Sequence, residues 1–181
     1  MKNVTGTLLL VLLTMSSFGL AYYQLTERFI DSDYVMKFST RSTDGTFSGL
    51  EGTVIFSPLE LENASIDVKL DAATIETGND KKNEHANSED WLDTKKYPEI
   101  RFTSSKFQKQ DDKYTIDGTM NLHGVEKAVQ IPFSYNEANG EFSGSFTVNR
   151  SDYGITGAGL KAMFVGEEIE ISFNIPTSLK Q

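Results

Sequence analysis

Six side chains in this chain are of types that could do chemistry: His85, His123, Asp90, Asp93, Arg150 and Asp152. A histidine beside two carboxylates can ligate a divalent metal or exchange a proton with a bound molecule. The spacing argues against both uses, since no HxxxH-type pair and no nucleophile motif accompanies these residues. His123 precedes Gly124 in an expected tight turn, where its ring is expected to bond to backbone, and Asp90 and Asp93 fall at an expected helix end. Arg150 and Asp152 suit an ion pair at a strand end, a common and individually weak arrangement. The expectation is therefore no catalytic residue and no metal site. The chain has no cysteine, which also removes disulfides, thiolate ligands, a cysteine nucleophile and acylation on cysteine.

Three of the six, His85, Asp90 and Asp93, come from one unusual stretch. From Gly78 to Ile100 the two-residue apolar alternation that governs the chain on either side stops, and charges, amides and a Tyr97-Pro98 pair replace it. Asn79 or Asp80 can cap a helix over Lys81 to Asp90, about three turns with no strong apolar stripe. Trp91, the only tryptophan, and Leu92 are its large apolar anchors. Trp91 can staple the helix to its support, contact a ligand, or do both. Tyr97-Pro98 then leads into an extended segment.

The elements that must position this stretch read as strands. Tyr34, Met36 and Phe38 alternate with polar or exposed neighbours, and so do residues along Leu50 to Ser57, Ala64 to Asp71, Ile100 to Phe107, Tyr114 to Leu122, Val129 to Tyr135, Phe142 to Val148 and Glu168 to Ile175. Turn signals separate them at Ser42 to Gly45, Asp111-Asp112, His123-Gly124 and Asn139-Gly140, and a Gly-rich loop runs from Gly154 to Gly159. Residues 24–33 form a lead-in that Phe29 and Ile30 can pin to the core. About eight strands joined mostly by hairpins make an all-β antiparallel barrel or sandwich, with one inserted surface helix at an end where loops carry function.

Composition narrows the class. The 181 residues suit one domain with a core of its own. Seventeen Lys plus Arg against 26 Asp plus Glu leave a formal charge of −9 and no basic block, so nucleic acid is excluded as a partner. At the start, Lys2, the apolar run Leu8 to Leu13 and the small residues Gly19 and Ala21 read as a signal peptide over residues 1–21, leaving 22–181 as the mature domain. An uncleaved anchor is the alternative, although the run falls short of the roughly 20 apolar residues of a span. Both place the domain outside the cytoplasm, periplasmic or secreted.

An eight-stranded barrel is wide enough either to be filled by its own side chains or to hold one small ligand. The expected inward faces carry Phe38, Phe56, Phe102, Phe133, Phe142, Phe146 and Phe173, with Gly52, Gly118 and Gly144 in phase with them. A filled core and a ligand cavity share this pattern.

Three motifs in order go further: Thr77-Gly78-Asn79 with His85, Ser88, Asp90-Trp91, Asp93 and Tyr97-Pro98-Glu99-Ile100; Leu122-His123-Gly124-Val125-Glu126-Lys127; and Arg150-Ser151-Asp152-Tyr153-Gly154-Ile155. Together, over roughly Ile30 to Ile175, they resemble the YceI-like family of exported polyisoprenoid-binding proteins. The chain departs from the family pattern at Asp33-Tyr34 (usually His-Ser), at Ala86 (usually Leu) and at Trp91-Leu92 (usually an aromatic pair). The resemblance implies a lipocalin-like barrel whose lumen takes an isoprenoid quinone or polyprenyl lipid as cargo, without a cofactor or catalysis. Phe38, Phe56, Phe102, Met120, Phe133, Phe146 and Phe173 would then line the lumen, and Trp91, His123, Arg150, Asp152 and Tyr153 would meet the head group at the mouth. Lipid exchange at a membrane surface and a homodimer are the further partner expectations. The alternative is a stress-related structural or protein-interaction barrel with a filled core and no ligand.

Overall fold

Eleven antiparallel strands share one sheet in the computed structural model, which describes residues 27–157, 159 and 161–180. They are β1 (Glu27–Ile30), β2 (Val35–Ser39), β3 (Asp44–Phe47), β4 (Leu50–Ile55), β5 (Ser65–Asp71), β6 (Glu99–Gln110), β7 (Lys113–Leu122), β8 (Val125–Asn136), β9 (Glu141–Asn149), β10 (Glu168–Ile175) and β11 (Thr177–Leu179). The expected signal peptide lies outside the described residues.

Six of these strands are halves of three bent staves: β1 runs into β2, β3 into β4 and β10 into β11. The first stave bonds to the last on one side, with Phe29 opposite Ser178 and Phe38 opposite Ile171. On its other side it bonds to the second, with Arg28 opposite Val54 and Phe38 opposite Gly45. Eight staves therefore close into a ring, and closure removes the open edges at which sheets aggregate. The expected all-β antiparallel barrel is the fold found, with eight staves where the strand breaks raise the count to eleven.

Two of the breaks have a local cause. Gly49 bends the second stave at φ +75°, and a Cβ there would sit 2.9 Å from that of Asp71. Pro176 interrupts the last stave because it has no N–H to give, while its carbonyl accepts from the Asp31 amide at 3.0 Å. At the bend of the second stave, the Leu50 N–H donates to the Tyr34 hydroxyl, 2.8 Å away. β1, β3 and β11 were not expected, because strands of four, four and three residues are too short to show an alternation.

The interior is built by alternation. On β7 the side chains of Tyr114, Ile116, Met120 and Leu122 are all buried, and Gly118 falls in phase among them under the Phe102 ring. β6 changes phase at a bulge between Ser104 and Lys106, which turns both Phe102 and Phe107 inward although they are an odd number of residues apart. One end of the barrel, beside the β6–β7 and β8–β9 turns, is closed by an aromatic plug. There Phe56 makes edge contacts with Tyr114, Phe133, Tyr135 and Phe142 at centroid distances of 4.9–5.8 Å.

The other end carries the long connections. Between β5 and β6, α1 (Asp80–Ala86) is capped by Asn79, whose side chain accepts from the Lys82 N–H at 3.1 Å. It is shorter than the three turns expected. The Ser88 hydroxyl donates to the His85 carbonyl and the Asn87 amide to the Asn83 carbonyl, so polar side chains end the helix where its propensity would extend it. Between β9 and β10 the expected loop also contains a second short helix, α2 (Lys161–Val165).

Candidate functional site

Among the described residues, two adjoining chambers stand out inside the barrel. The larger, about 430 Å³, lies at the end that carries the long connections, between α1, the β2–β3 hairpin and α2. The smaller, about 170 Å³, continues from it toward the aromatic plug. Phe47, Ile100, Leu122, Val148 and Ile171 belong to the walls of both and mark where one passes into the other. The deep chamber is lined by aliphatic and aromatic carbon, including Phe102, Met120, Phe146 and Phe173. Phe38 lines the outer one.

Two of the expected lumen residues have a different place. Phe56 and Phe133 point inward but belong to neither chamber wall, because the plug consumes their surfaces: Phe133 stacks on Tyr114 at 5.1 Å and packs on Phe142 at 5.7 Å. They close the lumen and leave its lining to others.

The expected mouth residues also divide. Trp91 and Arg150 line the outer chamber, with the Arg150 guanidinium 5.4 Å from the centre of the indole. Arg150 is 5% exposed and donates through Nε to the Gly166 carbonyl and through Nη1 to the Ile155 carbonyl, each at 2.6 Å. It thereby fastens both ends of the segment that brings α2, with Phe164 and Val165, against the chamber. The expected pairing of Arg150 with Asp152 is not made: Asp152 points to solvent and meets Lys127 at 3.7 Å. A short 3-10 turn over Arg150–Tyr153 separates the two side chains, sending one inward and the other out.

His123 and Tyr153 form a second site of contact behind the wall. The backbone contact expected of His123 is present, with Nδ1 3.2 Å from the Tyr153 carbonyl and the ring 4.4 Å from that of Tyr97. Its Nε2 is buried and lacks a partner among the described residues. Burial pushes the Tyr153 phenol above its ordinary value. Neither ring reaches a chamber wall. His85 does, from the last turn of α1. Asp90 is exposed in the turn after α1, and Asp93 adopts φ +44° there. Among the described residues no group of three His, Asp or Glu side chains could hold a metal.

The sequence reading missed the polar part of the outer chamber. Lys81, Lys82 and His85 of α1 face it, as do Thr40, Ser42 and Thr43 of the β2–β3 hairpin. The Lys82 ammonium donates to the Thr43 hydroxyl at 3.2 Å, tying helix to hairpin. The signal was available, because Lys81 and His85 are four residues apart and Lys82 and Ala86 likewise, which sets both pairs on one helix face.

The same barrel fold is found in known proteins. The YceI-like domain pattern matches residues 14–177. The chain belongs to the YceI-like domain family. A UPF0312 protein of Pseudomonas savastanoi pv. phaseolicola is 32% identical over 138 residues, 71% of each chain. One from Pseudomonas syringae pv. tomato is 33% identical over 124 residues, 64% of this chain and 65% of its own. Among solved structures, Burkholderia cenocepacia BcnA superposes with a TM-score of 0.76 at 23% identity, over 82% of this chain and 99% of its own. A polyisoprenoid binding domain from Saccharophagus degradans, implicated in plant cell wall breakdown, gives 0.62 at 13% identity, over 87% and 100%. At such identities the solved structures speak to the barrel itself and not to its contents.

Proposed function

We propose that this YceI-like protein is an exported, non-enzymatic carrier or buffer that holds the isoprenoid chain of a quinone or polyprenyl lipid in its two chambers and exchanges it at a membrane surface. The observation that carries this reading is the continuous apolar lumen, blind at the aromatic plug and reached from the α1 end. The outer chamber alone falls within the roughly 300–1,000 Å³ typical of small-molecule sites. Burying the five carbons of an isoprene unit stabilises the complex by roughly 4 kcal/mol at about 0.8 kcal/mol per carbon. Two or three units therefore outweigh much of the ordering cost of binding, which is on the order of 4–15 kcal/mol. The Saccharophagus domain, whose description names polyisoprenoid binding, supports the choice of chain, and the apolar stretch near the start of the sequence supports export.

The test is a titration of detergent-free protein with farnesol, read by the fluorescence of the single tryptophan, Trp91, in the chamber wall. The wild type is expected to saturate, and Phe146→Glu, which sets a charge in the deep chamber, is expected to lose most of that binding while remaining folded by circular dichroism. Equal binding by a folded Phe146→Glu variant would remove the lumen as the site. No uptake by the wild type would favour a filled barrel that acts by binding protein.

A further inference from the structure

The outer chamber is apolar except at its mouth, and the polarity there has one sign. Lys81, Lys82 and Arg150 contribute cationic groups, and Thr40, Ser42, Thr43 and Thr77 contribute hydroxyls. Among the described residues the wall contains no Asp or Glu, in a chain whose acids outnumber its bases by 26 to 17. Segregation on α1 accounts for much of this. Lys81, Lys82, His85 and Ala86 face the chamber, while Asp80 and Glu84 are exposed and absent from its wall. Glu76, four residues before the helix, is already engaged: the Asn83 side chain and the Gly78 N–H hold its carboxyl below the usual range.

Neither Lys81 nor Lys82 has a carboxylate partner among the described residues, although four other lysines and arginines on this barrel do. Lys82 is held toward the hairpin by the Thr43 hydroxyl, and Ser42 sits in the same wall. Paired ammonium groups beside hydroxyl donors suit a phosphate or carboxylate, which accepts several charge-assisted hydrogen bonds at once. A quinone ring or an alcohol offers such a cluster much less.

We infer that the mouth of the outer chamber is a binding site for an anionic head group, phosphate or carboxylate, with Lys81 and Lys82 supplying the charge and Ser42 and Thr43 the neutral donors. The inference rests on the proposed lumenal binding of an isoprenoid chain and selects, within that class, the cargo that carries a charge. Specificity then divides by depth: the chambers take the chain and the mouth takes the head group.

The experiment compares farnesyl monophosphate, farnesoic acid and farnesol, one prenyl chain with three head groups, by Trp91 fluorescence at low and at high salt. The wild type is expected to bind at least one of the two anions about tenfold or more tightly than farnesol at low salt, with the ratio shrinking at high salt. Which anion leads names the head-group class. In the double variant Lys81→Gln, Lys82→Gln the ratio is expected to fall below about twofold, while Lys127→Gln, which removes a lysine paired with Asp152 on the outside, retains the preference. Equal binding of all three probes by the wild type, or an undiminished preference in the folded double variant, overturns the inference. Binding of none of the three overturns the lumenal reading beneath it.

Discussion

Arg150 shows how one side chain can hold the site together through contacts within the protein. Carbonyl acceptors of its guanidinium at Ile155 and Gly166 sit at either end of the segment that carries α2, so the group works as a clasp across the base of that segment. Its flat face rests on Trp91, the anchor of the opposite connection. A lysine could not span both carbonyls and keep the ring contact. Arg150→Lys is therefore expected to lower stability by about 2 kcal/mol in urea unfolding and to shift the Trp91 emission. A loss under about 0.5 kcal/mol would show the clasp to be dispensable. Gly118 marks a second constraint: a Cβ there would stand 2.5 Å from the Phe102 ring and 2.6 Å from the Thr103 carbonyl, and the second of these is backbone that cannot swing aside. Gly118→Ala is expected to cost about 1–3 kcal/mol by the same measurement.

Among the elements, the long strands were readable from sequence because their alternation is nearly unbroken, β7 most of all. The excursion between β5 and β6 was readable as a place, since the alternation stops there, but not as a shape. Asn87 and Ser88 shorten α1 through bonds to the helix's own carbonyls, a competition that propensity does not weigh. The site was readable as an apolar lumen, yet the assignment of Phe56 and Phe133 to its lining could not be corrected from periodicity: inward-facing side chains near the closed end and near the open end obey the same rule, and only three-dimensional neighbours separate plug from wall. Asp152 and Tyr153 share a motif with Arg150 in sequence, yet a tight 3-10 turn sends the three side chains to different places.

The sheet's outer face adds a pH dependence. Arg101 grips both oxygens of Asp67 across β5 and β6, at 2.9 and 2.6 Å, and its hydrogen bonds hold the Asp67 carboxyl below the ordinary aspartate value of 3.8. A carboxyl lowered by folding contributes stability that is present above the unfolded value and disappears as the pH falls through the folded one. Asp67→Asn is therefore expected to flatten part of the fall in melting temperature below about pH 4, measured by scanning from pH 7 to pH 2. An unchanged profile would show that solvent screens this exposed pair completely.

At the scale of the whole molecule, closure and polarity set what the barrel can do. Three bent staves let a ring of eight close, and the ring has a plugged end and an end built from inserted connections. Phe56 is the centre of the plug, so Phe56→Ala is expected to cost about 3–5 kcal/mol in stability. On the proposed function, stability and cargo belong to opposite ends of one apolar interior, the plug serving the first and the two chambers the second.

That division makes the content of the chambers the deciding observation. The most direct measurement is native beside denaturing mass spectrometry of the protein expressed with its full sequence in a bacterial host and purified without detergent. The account predicts an added mass in the native spectrum alone, recovered by organic extraction as an isoprenoid lipid. A bare polypeptide mass in both spectra, with no uptake of added prenyl lipid, would contradict it.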